Sequence, residues 1–74
     1  MKRIISSNSE IVAPSDFFVQ GYLETGYFIN EKYDNLEDAL NFFDLNSWED
    51  AEVVEERYTK KGREYITHRE VTNA

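Results

Sequence analysis

Apolar residues, most of them aromatic or β-branched, lie on both sides of a polar Glu24-Thr25-Gly26 segment within residues 17–33, a stretch that contains six of the chain's eleven aromatic residues. This pattern predicts two strands joined by a tight turn. With residues 24–26 as the loop, the register makes four pairs: Leu23 with Tyr27, Gly21 with Ile29, Val19 with Glu31 and Phe17 with Tyr33. The face formed by these residues is apolar except for Glu31, which suits one side of a core.

A helix that begins at Ser15 and ends at Gly26 is the alternative for much of this stretch. Gly21 in the middle of that helix would cost about 1 kcal/mol. The many aromatic and β-branched residues also favour strands. We therefore predict a hairpin over residues 17–33.

After the hairpin, the apolar residues recur with the period of an α-helix. Four apolar residues fall on one face of a helix over residues 35–45: Leu36, Ala39, Leu40 and Phe43. Asn35 is a favourable N-cap, and Glu37 and Asp38 lie where the helix dipole favours negative charge. We expect this helix to pack on the apolar face of the hairpin.

Residues 51–71 are rich in Val, Thr and Tyr, which favours a second hairpin with a loop at residues 59–62. Its register pairs opposite charges: Arg57 with Glu64 and Glu52 with Arg69. A helix over residues 48–61 is the alternative, because Ser47 and Asp50 resemble a capping box.

These elements predict an α+β fold, with an antiparallel sheet in the order β-β-α-β-β and one helix packed on one face. The alternative order is β-β-α-α-β. We expect one small domain over residues 1–74. Residues 1–16 are expected to be partly loop or flexible, since residues 6–16 are rich in Ser and Asn, with room for a short strand at either end of residues 6–16.

The charge distribution matters more than the net charge of −7. Nine acidic residues and no Lys or Arg lie between Asp34 and Glu56. Such a segment repels phosphate backbones and attracts a basic protein surface. Nucleic-acid binding is therefore a minor alternative, and it would use Tyr58, Tyr65 and five cations: Arg57, Lys60, Lys61, Arg63 and Arg69.

The second face of the first hairpin is also aromatic, with Tyr22 and Phe28 as cross-strand neighbours. One helix covers only one side of a sheet, so these rings either meet a partner or lie under the N-terminal segment. Exposed apolar patches often mark interaction sites. The residues that would cover the pair in the second case are Ile4, Ile5, Ile11 and Val12.

Nothing in the chain predicts an enzyme, a cofactor or a metal site. There is no cysteine, and His68 is the sole histidine. A calcium loop from Asp44 to Glu55 is rejected because Glu49 replaces the required glycine. The absence of a disulfide framework and of a long apolar run favours a cytoplasmic protein that does not enter a membrane.

The acidic helix segment Leu36–Leu40, "LEDAL", and the strand-like "AEVVEERY" at residues 51–58 resemble small phage-encoded host-takeover and anti-defence inhibitors. They are most similar to a short phage inhibitor of bacterial RNA polymerase, in which a strand pair precedes an acidic helix and another strand. The resemblance implies a small stoichiometric binder. It assigns no role to an individual residue.

We therefore expect a non-enzymatic inhibitor or adaptor that docks on the basic surface of a nucleic-acid-handling host protein. On that surface its carboxylates would mimic the phosphate groups of nucleic acid. Charge would accelerate the encounter, and aromatic anchors would hold the complex. The candidate partner-binding residues are Glu37, Asp38, Asp44, Glu49, Asp50, Glu52, Glu55, Glu56, Tyr22 and Phe28. The alternative is a structural module that acts as a homodimer, because exposed strand edges invite pairing.

Overall fold

The computed structural model describes residues 10–72, which form a four-stranded antiparallel sheet and one helix. The elements, in chain order, are β1 (Ile11–Leu23), β2 (Phe28–Tyr33), α1 (Leu36–Asp44), β3 (Trp48–Thr59) and β4 (Gly62–Val71). The predicted α+β class is confirmed. The alternative helix over residues 48–61 is wrong, because β3 occupies that stretch. Within residues 10–72, no helix is both long and apolar enough to span a membrane.

The strands lie side by side in the order β2-β1-β3-β4. The two longest strands, β1 and β3, therefore form the centre of the sheet. β1 begins at Ile11, so the strand allowed at the C-terminal end of residues 6–16 covers residues 11–16, which pair with the end of β3. The rest of the predicted loop falls on residues 6–10. Of these, Glu10 alone is described, and it lies outside the strand.

The first hairpin has the predicted register, with Phe17 opposite Tyr33 and Gly21 opposite Ile29. The turn closes through a hydrogen bond of 2.8 Å from the Gly26 N–H to the Leu23 carbonyl. Gly26 adopts a φ of +96°, a value that favours glycine. Turn chemistry and hydrophobic alternation together fixed this register.

The second hairpin departs from the predicted register halfway along. Arg57 lies opposite Glu64, as predicted. Beyond Val54, however, β4 contains one extra residue, and Glu52 lies opposite Glu70 instead of Arg69. The extra residue is His68, which forms a β-bulge because Val54 pairs with Thr67 and Val53 pairs with Arg69. The predicted pair of opposite charges is thus replaced by a pair of carboxylates.

Helix α1 packs against the sheet through its apolar side. The Asn35 side chain accepts a hydrogen bond of 2.8 Å from the Asp38 N–H, which confirms the predicted N-cap. The core lies between the helix and the sheet and consists of these buried residues: Val19, Ala39, Phe43, Trp48, Ala51 and Val53. The Trp48 ring stacks on Phe43 at a centroid distance of 5.4 Å and donates its indole N–H to the Phe43 carbonyl at 2.8 Å.

Strands β1 and β3 approach each other closely at Gly21. Gly21 has a φ of +151°, and a Cβ atom on it would lie 2.2 Å from the Asp50 carbonyl oxygen and 2.4 Å from the Ala51 Cα. Only glycine fits this position, because the conflicting atoms belong to the backbone.

Candidate partner-binding face

The side of the sheet opposite α1 is called the open face here. Alternation along each strand and the registers assign its residues: Phe18, Gln20, Tyr22, Phe28, Asn30, Lys32, Asp50, Glu52, Val54, Glu56, Tyr65, Thr67 and Glu70. Register partners form rows across the sheet. One row consists of Phe28, Tyr22 and Asp50, and the next consists of Asn30, Gln20, Glu52 and Glu70. Among residues 10–72 the helix lies on the other side, and the Tyr22 and Phe28 end of this face is exposed, whereas Val54 and Glu56 are buried.

Tyr22 and Phe28 form an exposed aromatic pair on the open face. Their ring centroids are 5.2 Å apart, and the residues are 50% and 58% exposed. The predicted cover is wrong for Ile11 and Val12, because both lie in β1 and are themselves exposed. The other two residues expected to cover the pair, at positions 4 and 5, lie outside the described residues. Within residues 10–72, the pair is a surface feature.

Carboxylates border this aromatic pair on the β3 and β4 side. Asp50 lies opposite Tyr22, and Glu52 lies opposite Gln20. The Gln20 amide donates to Glu52 Oε2 at 3.1 Å. These residues line a shallow groove together with Phe28 and Glu70. The groove therefore combines aromatic rings on one side with negative charge on the other.

Glu56 lies further along the open face and is engaged by groups of its own chain. It is 9% exposed and accepts hydrogen bonds from Tyr58 at 2.9 Å and Tyr65 at 2.8 Å. Arg63 Nη1 lies 3.5 Å from Glu56 Oε2. The pKa of Tyr58 is raised because its hydroxyl donates to Asp16 and to Glu56, which stabilises the protonated phenol. Glu56 is thus a structural carboxylate at the margin of the face.

Glu55 is placed away from the predicted surface, on the helix side of the sheet. It is 7% exposed and accepts a hydrogen bond of 2.6 Å from Ser15 Oγ. His68 Nε2 lies 2.9 Å from Glu55 Oε1, and Arg57 Nε donates to Oε2, the oxygen that also accepts from Ser15, at 3.3 Å. A partner that docked on Glu55 would therefore have to break these contacts. Adjacent strand residues point to opposite faces, which separates Glu55 from Glu56.

The pKa of Glu55 reflects two opposing effects. Burial alone raises the pKa, but hydrogen bonds from Ser15, His68 and Arg57, with the charge of Arg57, outweigh it and hold the pKa below the ordinary value of 4.5. A depressed pKa in the folded state means that the carboxylate stabilises the fold above the unfolded pKa. This contribution is lost as the pH falls through the lower, folded pKa.

We expect Glu55→Gln to reduce the free energy of unfolding at pH 7 by about 1–3 kcal/mol, because it weakens charge-assisted hydrogen bonds. The difference from the wild type should shrink as the pH falls from 4.5, the ordinary pKa at which the unfolded carboxyl takes up its proton, through the lower pKa of the folded state. Urea unfolding at pH 7 and pH 3 measures both differences. Glu24→Gln, which removes the same charge from an exposed turn, is the control. An equal loss at both pH values would contradict this role for Glu55.

The remaining predicted acids lie outside the groove. Glu37 and Asp38 are exposed in the first turn of α1. Asp44, at the end of the helix, forms an ion pair of 2.5 Å with Arg69. Glu49 is exposed and lies where β1 and β3 shift register. The acidic segment therefore divides among several surfaces, and the structure brings only Asp50 and Glu52 to the aromatic pair.

Two groove residues, Gln20 and Glu70, are absent from the sequence-based site. Gln20 shares its predicted face with Tyr22, and this alternation was the signal available for it. Glu70 reaches the groove only because of the bulge at His68, for which the sequence offers no clear signal. The predicted register placed Arg69 there.

The cations near the C-terminus do not form a separate basic surface. Four of the five have carboxylate partners within 4.0 Å: Arg57 with Glu55, Lys60 with Glu10, Arg63 with Glu56 and Arg69 with Asp44. Over residues 10–72, no group of three or more His, Cys, Asp or Glu side chains is arranged to hold a metal ion.

Comparisons with protein-family models, with curated proteins and with solved structures found no match to this chain. The geometry of the open face is therefore the basis for the functional argument.

Proposed function

We propose that this protein is a small, acidic, non-enzymatic inhibitor or adaptor that docks through its open face on a basic surface of a nucleic-acid-handling protein. The observation that carries the proposal is the exposed pair of Tyr22 and Phe28 beside Asp50 and Glu52. Aromatic residues supply much of the binding energy at protein interfaces. Carboxylates around them accelerate encounter with a cationic partner.

The net charge of −7 supports a partner that normally binds nucleic acid. A surface evolved for phosphate groups is basic, and an acidic protein would be attracted to it over the range of the Debye length, about 8 Å at physiological salt. Occupation of such a surface would exclude the nucleic acid. Inhibition therefore requires no chemistry from this chain, and a cytoplasmic location would bring it to such targets.

The resemblance to phage-encoded inhibitors of host proteins supports inhibition over a neutral adaptor role. These proteins act by stoichiometric binding, which suits a chain of 74 residues. The proposed target class is a host enzyme that handles DNA or RNA.

Affinity capture with matched variants tests the proposal. The test variant combines Tyr22→Ser with Glu52→Gln, which removes an aromatic ring and a charge from the open face. The control combines Tyr27→Ser with Glu24→Gln, which removes equivalent groups from the exposed turn between β1 and β2. We expect the wild type and the control to retain the same basic protein from a cell lysate at low salt, and the test variant to lose it.

Capture at high salt and an activity assay complete the experiment. The retained protein should elute as salt rises, and its binding to nucleic acid should fall when this protein is added in equimolar amount. Equal capture by the test and control variants would contradict docking through the open face. Recovery of the bait alone, with sedimentation that depends on concentration, would favour the homodimer instead.

A further inference from the structure

We propose that the groove beside the aromatic pair binds the side chain of an arginine that the partner presents. This inference rests on the proposed function and specifies the chemistry of the same site. The groove residues that carry it are Gln20, Tyr22, Phe28, Asp50, Glu52 and Glu70.

The pair of Glu52 and Glu70 favours a cationic occupant. The two residues lie directly opposite each other on β3 and β4, a placement that brings their Cβ atoms within about 5.5 Å. Like charges in this arrangement are mutually destabilising. The register therefore places two carboxylates side by side in the groove, which attracts positive charge.

Local ion pairing leaves the Tyr22 end of the face acidic. Lys32 lies 3.6 Å from Asp16, and Arg63, opposite Tyr58 and away from this end of the face, lies 3.5 Å from Glu56, so both cations lie near carboxylates outside the groove. Among residues 10–72, no Lys or Arg side chain is paired with Asp50 or Glu52 within 4.0 Å. Within the described residues, the charges of Asp50 and Glu52 are therefore available to an external cation.

The rings favour arginine over lysine. A guanidinium is planar, is weakly hydrated and stacks on aromatic faces, whereas an ammonium is compact and strongly hydrated. Tyr22 and Asp50 are cross-strand neighbours, so a guanidinium stacked on Tyr22 would lie within reach of a carboxylate. The Gln20 amide, already bonded to Glu52, holds one carboxylate in place at the bottom of the groove.

The test uses two short synthetic peptides with the same length and charge, one with arginine and one with lysine at a central position between glycines. Two-dimensional NMR titration of the full chain follows the backbone and side-chain amides. We expect the arginine peptide to shift the Gln20 side-chain amide and the amides near Tyr22 and Asp50. Its affinity should exceed that of the lysine peptide by about threefold, the size of an exposed cation–π contact.

Variants locate the effect. Tyr22→Leu should abolish the preference for arginine, whereas Tyr27→Leu, which removes an exposed ring from the turn between β1 and β2, should retain it. Equal affinity for both peptides, or shifts centred on the acidic first turn of α1, would overturn the inference. If capture of the cellular partner still depended on Tyr22 and Glu52 in that case, the proposed function would stand without the arginine site.

Discussion

Gly21→Ala is expected to destabilise the fold more than substitution of any other glycine that the structure describes. The new Cβ would lie 2.2 Å from the Asp50 carbonyl oxygen and 2.4 Å from the Ala51 Cα, so the two central strands would have to separate. The φ of +151° costs about 1–3 kcal/mol for a non-glycine residue. The steric conflict adds about 1–3 kcal/mol. The whole stability of a chain of this size is about 4–11 kcal/mol.

Gly62→Ala separates the two contributions to this loss. Gly62 also has a positive φ, of +123°, but a Cβ there would meet no atom within 4 Å. The control variant therefore carries backbone strain without a clash. Chemical denaturation should show a lower midpoint for Gly21→Ala than for Gly62→Ala. Equal midpoints would show that β1 and β3 do not approach each other as closely as described.

Phe43→Ala is the second substitution with a large expected effect. Phe43 is 5% exposed and stacks on Trp48 with an angle of 15° between the ring planes. Removal of a buried phenylalanine ring costs about 3–5 kcal/mol, because transfer free energy is lost and a cavity remains. The helix would lose its main contact with the core. Thermal unfolding followed by circular dichroism should show a large fall in Tm or an unfolded chain at 37 °C.

Phe28→Ala makes the same chemical change on the open face. Phe28 is 58% exposed, and its ring contact with Tyr22 contributes about 0.5–1.5 kcal/mol. We therefore expect a loss of about 1 kcal/mol. A stability loss as large as that of Phe43→Ala would mean that the open face is covered and that the aromatic pair belongs to a core.

The helix and the first hairpin could be predicted because local rules and tertiary packing agree there. The N-cap at Asn35 and the turn at Gly26 each fix an end of an element through contacts a few residues apart. Residues 11–16 could be predicted only in part. Ile11 and Val12 favour a strand and Pro14 favours a loop, and the pairing with distant β3 that decides between them cannot be read from local composition.

The candidate site was predicted less well than the fold, because it depends on which residues share a face. Tyr22 and Phe28 followed from alternation alone. The acids were treated as one continuous segment, whereas strand geometry sends Glu55 to the helix side and Glu52 to the open face. The extra residue at His68 then exchanged Arg69 for Glu70 opposite Glu52. A bulge changes every cross-strand pair beyond it, so the unpredicted bulge at His68 changed the charge of the groove.

The pairing of β1 with β3 has a consequence for how the chain reaches its native state. Each hairpin can form from neighbouring residues, but the central ladder joins Ile11 to Thr59 and Leu23 to Trp48. Closure of the chain over such sequence separations slows folding. We therefore expect the docking of the two preformed hairpins, β1–β2 and β3–β4, to limit the folding rate. During synthesis on the ribosome, the first hairpin would emerge with its apolar side uncovered, and it would stay so until β3 followed.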